Sequence, residues 1–146
     1  MTSPFASITI GPLTLRNRFI KSGANEAMSR DGVPTKAMLK HHGDLARGGI
    51  GMTTVAYGAV NEVGRTLANQ IVMSESSLKD LTALTQEIHQ YGAAASIQIT
   101  HGGSFVTGLK VKGATISSSS GINKACLLYT SPSPRDLSTS RMPSSA

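Results

Sequence analysis

The stretch Gln98-Ile99-Thr100-His101-Gly102-Gly103 closes an apolar run that begins at Ala93, and its residue types can do chemistry. The Gln98 amide carries both a donor and an acceptor. Inside an otherwise apolar strand such an amide is costly unless it is paired, so it needs either a ligand or another hydrogen-bonding group. His101 can contact a ligand, although a lone histidine after a strand is as readily held by a neighbouring loop. Two other stretches have the same form, a β-prone run that ends in small or polar residues. These are Ser22-Gly23-Ala24-Asn25 after Phe19 and Ile20, and Tyr57-Gly58 after Met52 to Val55. Small residues let a ligand come close to the backbone. His41, His42 and His89 fall on predicted helices and are expected to be solvent-facing or near caps rather than catalytic, and no metal site is expected.

Those three stretches must be positioned by alternating strands and helices. ASITIGPLTLRN reads as a hairpin, with period-two apolar residues on either side of Gly11-Pro12. RFIKSG is a first buried strand ended by Gly23. Thr35 can cap a helix over KAMLKHHGDLAR, with a stripe of Met38, Leu39, Leu45 and Ala46 that Gly48-Gly49 stops. IGMTTVAYGAV is the second strand. Ser77-Leu78-Lys79-Asp80 fits a capping box for a helix whose Leu78, Leu81, Leu84, Ile88 and Tyr91 recur at helical spacing, closed by Gly92. AAASIQIT is the third strand. Two successive β-α-β units indicate a parallel sheet covered by helices, which fits either a doubly wound sheet or a barrel. The polar strand ends favour a barrel, whose active sites sit on one rim, and SGANEA is not the GxGxxG turn of a dinucleotide-binding sheet.

Composition bounds the partners. The 146 residues suffice for one domain of ordinary size. A net charge of +6 raises the question of a nucleic acid, but Arg16, Arg18, Lys21, Arg30, Lys36, Lys40, Arg47 and Arg65 are scattered over several elements and aromatic residues are sparse. No nucleic-acid partner is expected. The single cysteine excludes an internal disulfide and favours a reducing compartment. With no signal-peptide pattern at the start and no apolar run approaching the roughly 18 residues that span a bilayer, a cytoplasmic protein without membrane contact is expected.

LTLRNRFIKSG, DGVPT, ARGGIGMTTVAYGAVNEVGRT and QITHGG, in this order and at these spacings, resemble the N-terminal part of the Old Yellow Enzyme family. These are FMN-dependent NADH:flavin oxidoreductases. The resemblance spans about residues 4 to 125 and implies an α/β fold: the first three β-α units of a (β/α)8 TIM barrel, preceded by an N-terminal β-hairpin and truncated. It implies that FMN lies across the C-terminal rim, contacted by Ser22, Gly23, Ala24, Asn25, Tyr57 and Gln98, with Ala56 as the alternative to Tyr57 if the correspondence slips by one. Gln98 would face the paired N–H and C=O groups of the pyrimidine edge. His101 is implied as a substrate or flavin contact.

The sequence departs from the family pattern in places. Gly23 stands where proline is commoner, Asn25 where threonine or cysteine is commoner, and Ser104 where many relatives have arginine, so neither the tuning of the flavin nor an anion-facing role for His101 carries over directly. The implied reaction moves hydride from NADH or NADPH to FMN N5 and on to an electron-poor alkene such as an enone or enoate. The proton donor and the substrate-binding pair come from later strands, so the catalytic residues are unknown and residues 1–146 alone are expected to be inactive. The alternative is a non-catalytic fragment of another TIM-barrel enzyme, such as a lyase whose rim binds a small acid. A homo-oligomeric parent is left open.

The stretch CLLYTSPSPRDLSTSRMPSSA, Cys126 to Ala146, does not resemble what precedes it. Read back into codons, CLLYTSPSPRD and SRMPSSA resemble the two halves of a sequencing-library adapter, with Leu137-Ser138-Thr139 where a variable index would lie. Residues 126–146 are therefore expected to be a non-native, disordered tail, and residues 1–125 part of a flavin oxidoreductase barrel.

Overall fold

The computed structural model describes residues 3–103 and Val106. Ser104 and the 126–146 tail lie outside the described residues. The chain opens with strands β1 (Ile8–Ile10) and β2 (Leu13–Leu15), paired antiparallel with Ile8 opposite Leu15. Gly11 turns between them at φ +56°, a conformation that glycine adopts without a Cβ penalty. The first parallel strand, β3 (Ile20–Lys21), is shorter than the predicted RFIKSG run, and it ends at Lys21 rather than at Gly23. A second small hairpin, β4 (Ser29–Arg30) and β5 (Val33–Pro34), follows around Asp31-Gly32. It was not anticipated, because its arms are too short for any periodicity to register.

Helix α1 (Lys36–Arg47) starts where the sequence places it, with Thr35 Oγ1 accepting from the Met38 N–H at 3.4 Å. Strand β6 (Met52–Ala59), a 3₁₀ turn (Glu62–Gly64), the short strand β7 (Ile71–Val72), helix α2 (Glu75–His89) and strand β8 (Ala94–Thr100) complete the described elements. The start of α2 corrects the expected box. Ser74 is the N-cap and Ser77 is the third helical residue, whose Oγ accepts from the Ser74 N–H at 3.1 Å. Leu78 thereby leaves the apolar stripe and is 64 % exposed. Tyr91 lies beyond the helix, where its hydroxyl accepts from Arg47 Nη2 at 3.0 Å.

The sheet is parallel and centred on β6. On one edge β6 pairs with β8 along its whole length, from Met52 opposite Ala94 to Ala59 opposite Thr100, with a bulge between Ala56 and Gly58. On its other edge β6 pairs with β3 at Met52 and Thr53 and with β7 at Gly58 and Ala59. The two helices pack on one face of this sheet. There Met38, Ala46, Val55, Ile71, Leu84, Ile88 and Ala93 form the buried core. The Leu39 and Leu45 of the predicted stripe are only half-buried, and Gly43 is buried in their place because α2 crosses close by. A Cβ on Gly43 would stand 2.5 Å from Glu87 Oε1.

Arg16 ties the opening hairpin to this frame. Its guanidinium donates to Ile50 O (2.8 Å), Tyr91 O (2.6 Å) and Ala46 O (2.5 Å), so one cation serves carbonyls in the last turn of α1 and just beyond the C-terminal ends of both helices. A positive charge at a helix C-terminus also complements its dipole.

Candidate functional site

Strand ends β3, β6 and β8 lie side by side, and they bring together most of the residues singled out in the sequence. Gln98, on β8, is opposite Ala56 on β6. Gly23 lies against both: a Cβ built on it would meet the Ala56 Cβ at 3.4 Å and collide with Gln98 Oε1. Only glycine lets the Gln98 side chain lie there. Gln98 itself is exposed and has no hydrogen-bond partner among the described residues. Ser22 and Ala24 are exposed beside it, and Asn25 is half-buried with its Oδ1 accepting from the Ala27 N–H at 3.1 Å. Tyr57 is half-buried at the bulge, whereas Ala56 is only 2 % exposed.

His101 stands at the edge of this group. Its Nδ1 accepts from the Gly103 N–H at 3.0 Å, which leaves the ring proton on Nε2 in the neutral form. The ring lies on Gly64, where a Cβ would stand 2.6 Å from His101 Cδ2. A nearby amide network fixes the same loop: Gln70, 2 % exposed, accepts from the Thr66 N–H at 2.9 Å and donates to Thr100 Oγ1 at 3.1 Å.

Behind the strand ends lies a buried polar group that the sequence reading did not assemble. Lys21 is ion-paired to Glu26, whose side chain is 4 % exposed, and also donates to Thr54 O at 3.0 Å. Glu26 Oε2 accepts from the Ala56 N–H at 3.1 Å. The available signal was a lysine within an apolar run and an acid five residues on.

His42 corrects an expectation. It is fully buried rather than solvent-facing, because its turn of α1 faces β6, and its Nδ1 is 2.7 Å from Thr53 Oγ1 while Nε2 is 3.8 Å from Glu26 Oε1. Glu26, His41 and His42 bring ligand atoms within 4.8 Å of one another. The Lys21 ammonium on the same carboxylate opposes a metal ion there.

Burial pushes His42 down to a pKa of about 4 from its ordinary 6.5; the Glu26 carboxylate works against this shift, while Lys21 and His41 add to it. The unfolded chain therefore takes up a proton on His42 at a higher pH than the folded one. Stability contributed by neutral His42 is complete above pH 6.5 and is lost as pH falls towards about 4. In the full-length protein that carries these residues, denaturant unfolding at pH 7 and pH 4.5 should show this loss in wild type and a shallower one in His42→Gln. Equal slopes would disprove the assignment.

The sequence matches the NADH:flavin oxidoreductase / NADH oxidase family over residues 3–134. It is 40% identical over 117 residues to the 4,4'-dithiodibutanoate disulfide reductase of Rhodococcus erythropolis, covering 80% of this chain and 29% of that protein. It is 29% identical over 102 residues to the NADPH dehydrogenase of Bacillus subtilis (strain 168), covering 68% of this chain and 30% of that one. The chain thus spans under a third of the length of these relatives.

Among solved structures, morphinone reductase in complex with tetrahydroNAD superposes with a TM-score of 0.78 at 16% identity, over 86% of this chain and 35% of that one. The old yellow enzyme homologue from Zymomonas mobilis superposes with a TM-score of 0.63 at 22% identity, over 68% and 28% of the two chains. The strands and helices described above thus share the fold of the corresponding part of these reductases, and the family match sets aside a barrel of another kind such as a lyase. No helix among the described residues is long and apolar enough to cross a membrane. By its match over nearly the whole sequence and by its fold, the chain belongs to the NADH:flavin oxidoreductase / NADH oxidase family.

Proposed function

We propose that the full-length protein is an FMN-dependent NAD(P)H oxidoreductase, and that the corner formed by Gly23, Ala56 and Gln98 receives the flavin. The observation that carries this reading is the Gln98 amide. It stands exposed and unpaired among the described residues, in the middle of three strand ends, over a glycine that leaves it room. A primary amide so placed can donate to a ring carbonyl and accept from a ring N–H, the pair that a flavin pyrimidine edge presents. When bound, FMN would supply the hydride chemistry; these residues orient it and keep its edge hydrogen-bonded.

Ser22, Ala24 and Asn25 line the approach with small side chains, and Tyr57 or Ala56 closes the β6 side. His101 presents its Nε2 from the β8 end as a substrate or flavin contact. In the full-length protein, Gln98→Leu should weaken FMN binding by about tenfold, in line with roughly 1–3 kcal/mol for a polar partner lost in a desolvated site, or shift the flavin potential. Unchanged affinity and potential would remove Gln98 from the flavin site.

For the hydride acceptor, an electron-poor alkene is the proposed class. The disulfide reductase among the relatives supports an organic disulfide as the second reading. Steady-state assays of the full-length protein with cyclohexenone and with an aliphatic disulfide, NADH and NADPH each in turn, separate these readings. Turnover of the disulfide alone would overturn the alkene assignment.

A further inference from the structure

We infer that Glu26, ion-paired to Lys21, is a positioning residue that holds the Ser22–Asn25 segment and the end of β6 at one fixed separation, and so sets the surface on which the flavin rests. This rests on the flavin reading of the Gly23–Gln98 corner. The argument comes from the edge of β6. β3 pairs with it only as far as Lys21 opposite Thr53, and β7 resumes the pairing at Gly58 opposite Ile71. Between them the backbone groups of Ala56 have no strand partner on that edge.

Glu26 fills this gap. Its N–H donates to Ala56 O at 3.4 Å, and its carboxylate accepts from the Ala56 N–H at 3.1 Å, so side chain and main chain together act as a strand residue would. Lys21 anchors the same carboxylate and reaches Thr54 O at 3.0 Å, one peptide group closer to the β3 pairing. The carboxylate is almost wholly buried, where ion pairs are weakly screened and hydrogen bonds to charge are stronger than neutral ones.

Such a clamp acts at a distance of a few residues. Gly23 lies three residues before Glu26, and a Cβ there would be in contact with Ala56, the residue that Glu26 holds. If the carboxylate is lost, the Ala56 N–H loses its acceptor and Lys21 its counter-charge. The 22–25 segment is then free to move relative to Gln98. Displacement of about an ångström at such a site costs far more in function than in fold.

The test uses the full-length FMN-loaded protein, with FMN affinity, the flavin visible absorption band and its reduction potential as readouts, measured where circular dichroism shows each variant fully folded. Glu26→Ala should lower FMN affinity about tenfold or more and alter band and potential. Glu26→Gln keeps an oxygen for the Ala56 N–H but not the charge for Lys21, and should fall between wild type and Glu26→Ala. If Glu26→Ala does not fold, Glu26→Gln decides alone. Glu26 variants that bind FMN with wild-type affinity, band and potential would overturn the inference while leaving the flavin reading intact; a wild-type protein that binds no FMN would overturn the flavin reading itself.

Discussion

Expressed alone, residues 1–146 should be recovered as aggregated or molten material that retains no FMN after desalting. The described sheet is open at both sides: β8 pairs only with β6, and so does β3. Unpaired edges of this kind recruit other chains. Apolar surface is uncovered as well, with Ile20 at 43 % and Ile99 at 59 % exposure, and an apolar groove of about 240 Å3 stays open between α2 and the sheet, lined by Val55, Met73, Leu81, Leu84 and Ile97.

The cofactor would gain little from such a surface. In TIM barrels a phosphate is commonly held by loops after the seventh and eighth strands, which leaves only the contacts around Gly23 and Gln98 to offset the cost of immobilising the ligand. A soluble 146-residue monomer that unfolds cooperatively and keeps stoichiometric FMN would refute this expectation.

Arg16→Ala in the full-length protein should cost about 2 kcal/mol of stability, because charge-assisted bonds to three separate carbonyls disappear together, each weakened by the exposure of the side chain to water. Arg16→Lys should recover only part of it. An ammonium cannot reproduce the planar fork that reaches Ile50, Tyr91 and Ala46 at once. Denaturant midpoints of the three proteins give the comparison, and a loss below about 1 kcal/mol for Arg16→Ala would show the latch to be ornamental.

Arg16 also shows where sequence reasoning stops. Counting charges placed it among scattered surface cations, since nothing local to it announces partners 30 to 75 positions away. Elements that depend on local pattern were legible. Thr35 caps α1 because a threonine before an amphipathic run has a nearby amide to satisfy, and Gly11 turns the first hairpin because the conformation demands it. The three parallel strands were legible for the same reason, whereas a shared rim for Gly23, Gln98 and Tyr57, with Ala56 as its alternative, came from the family resemblance and not from local pattern.

What failed depended on tertiary context. His42 looks like any polar residue on a helix, and only the position of β6 buries it. Ser77 and Ser74 are both fit to start α2, and the sequence alone offers no reason to prefer the earlier one. Lys21 reads only as one of the scattered cations and Glu26 does not stand out at all, because their relation runs through the backbone of Ala56.

The bulge in β6 has a bearing on how chains of this family can differ in length. Tyr57 has no partner in β8, since the ladder passes from Ala56 opposite Gln98 directly to Gly58 opposite Ile99. A related chain lacking one residue at this point would form an uninterrupted ladder with every later pair preserved. Insertion or deletion here is therefore absorbed within the strand itself instead of being passed on to the loop beyond it. Residue-for-residue correspondence with relatives loses its spatial meaning at Ala56-Tyr57, and equivalence across that step is defined by the hydrogen-bonded partner on β8, not by position along the chain.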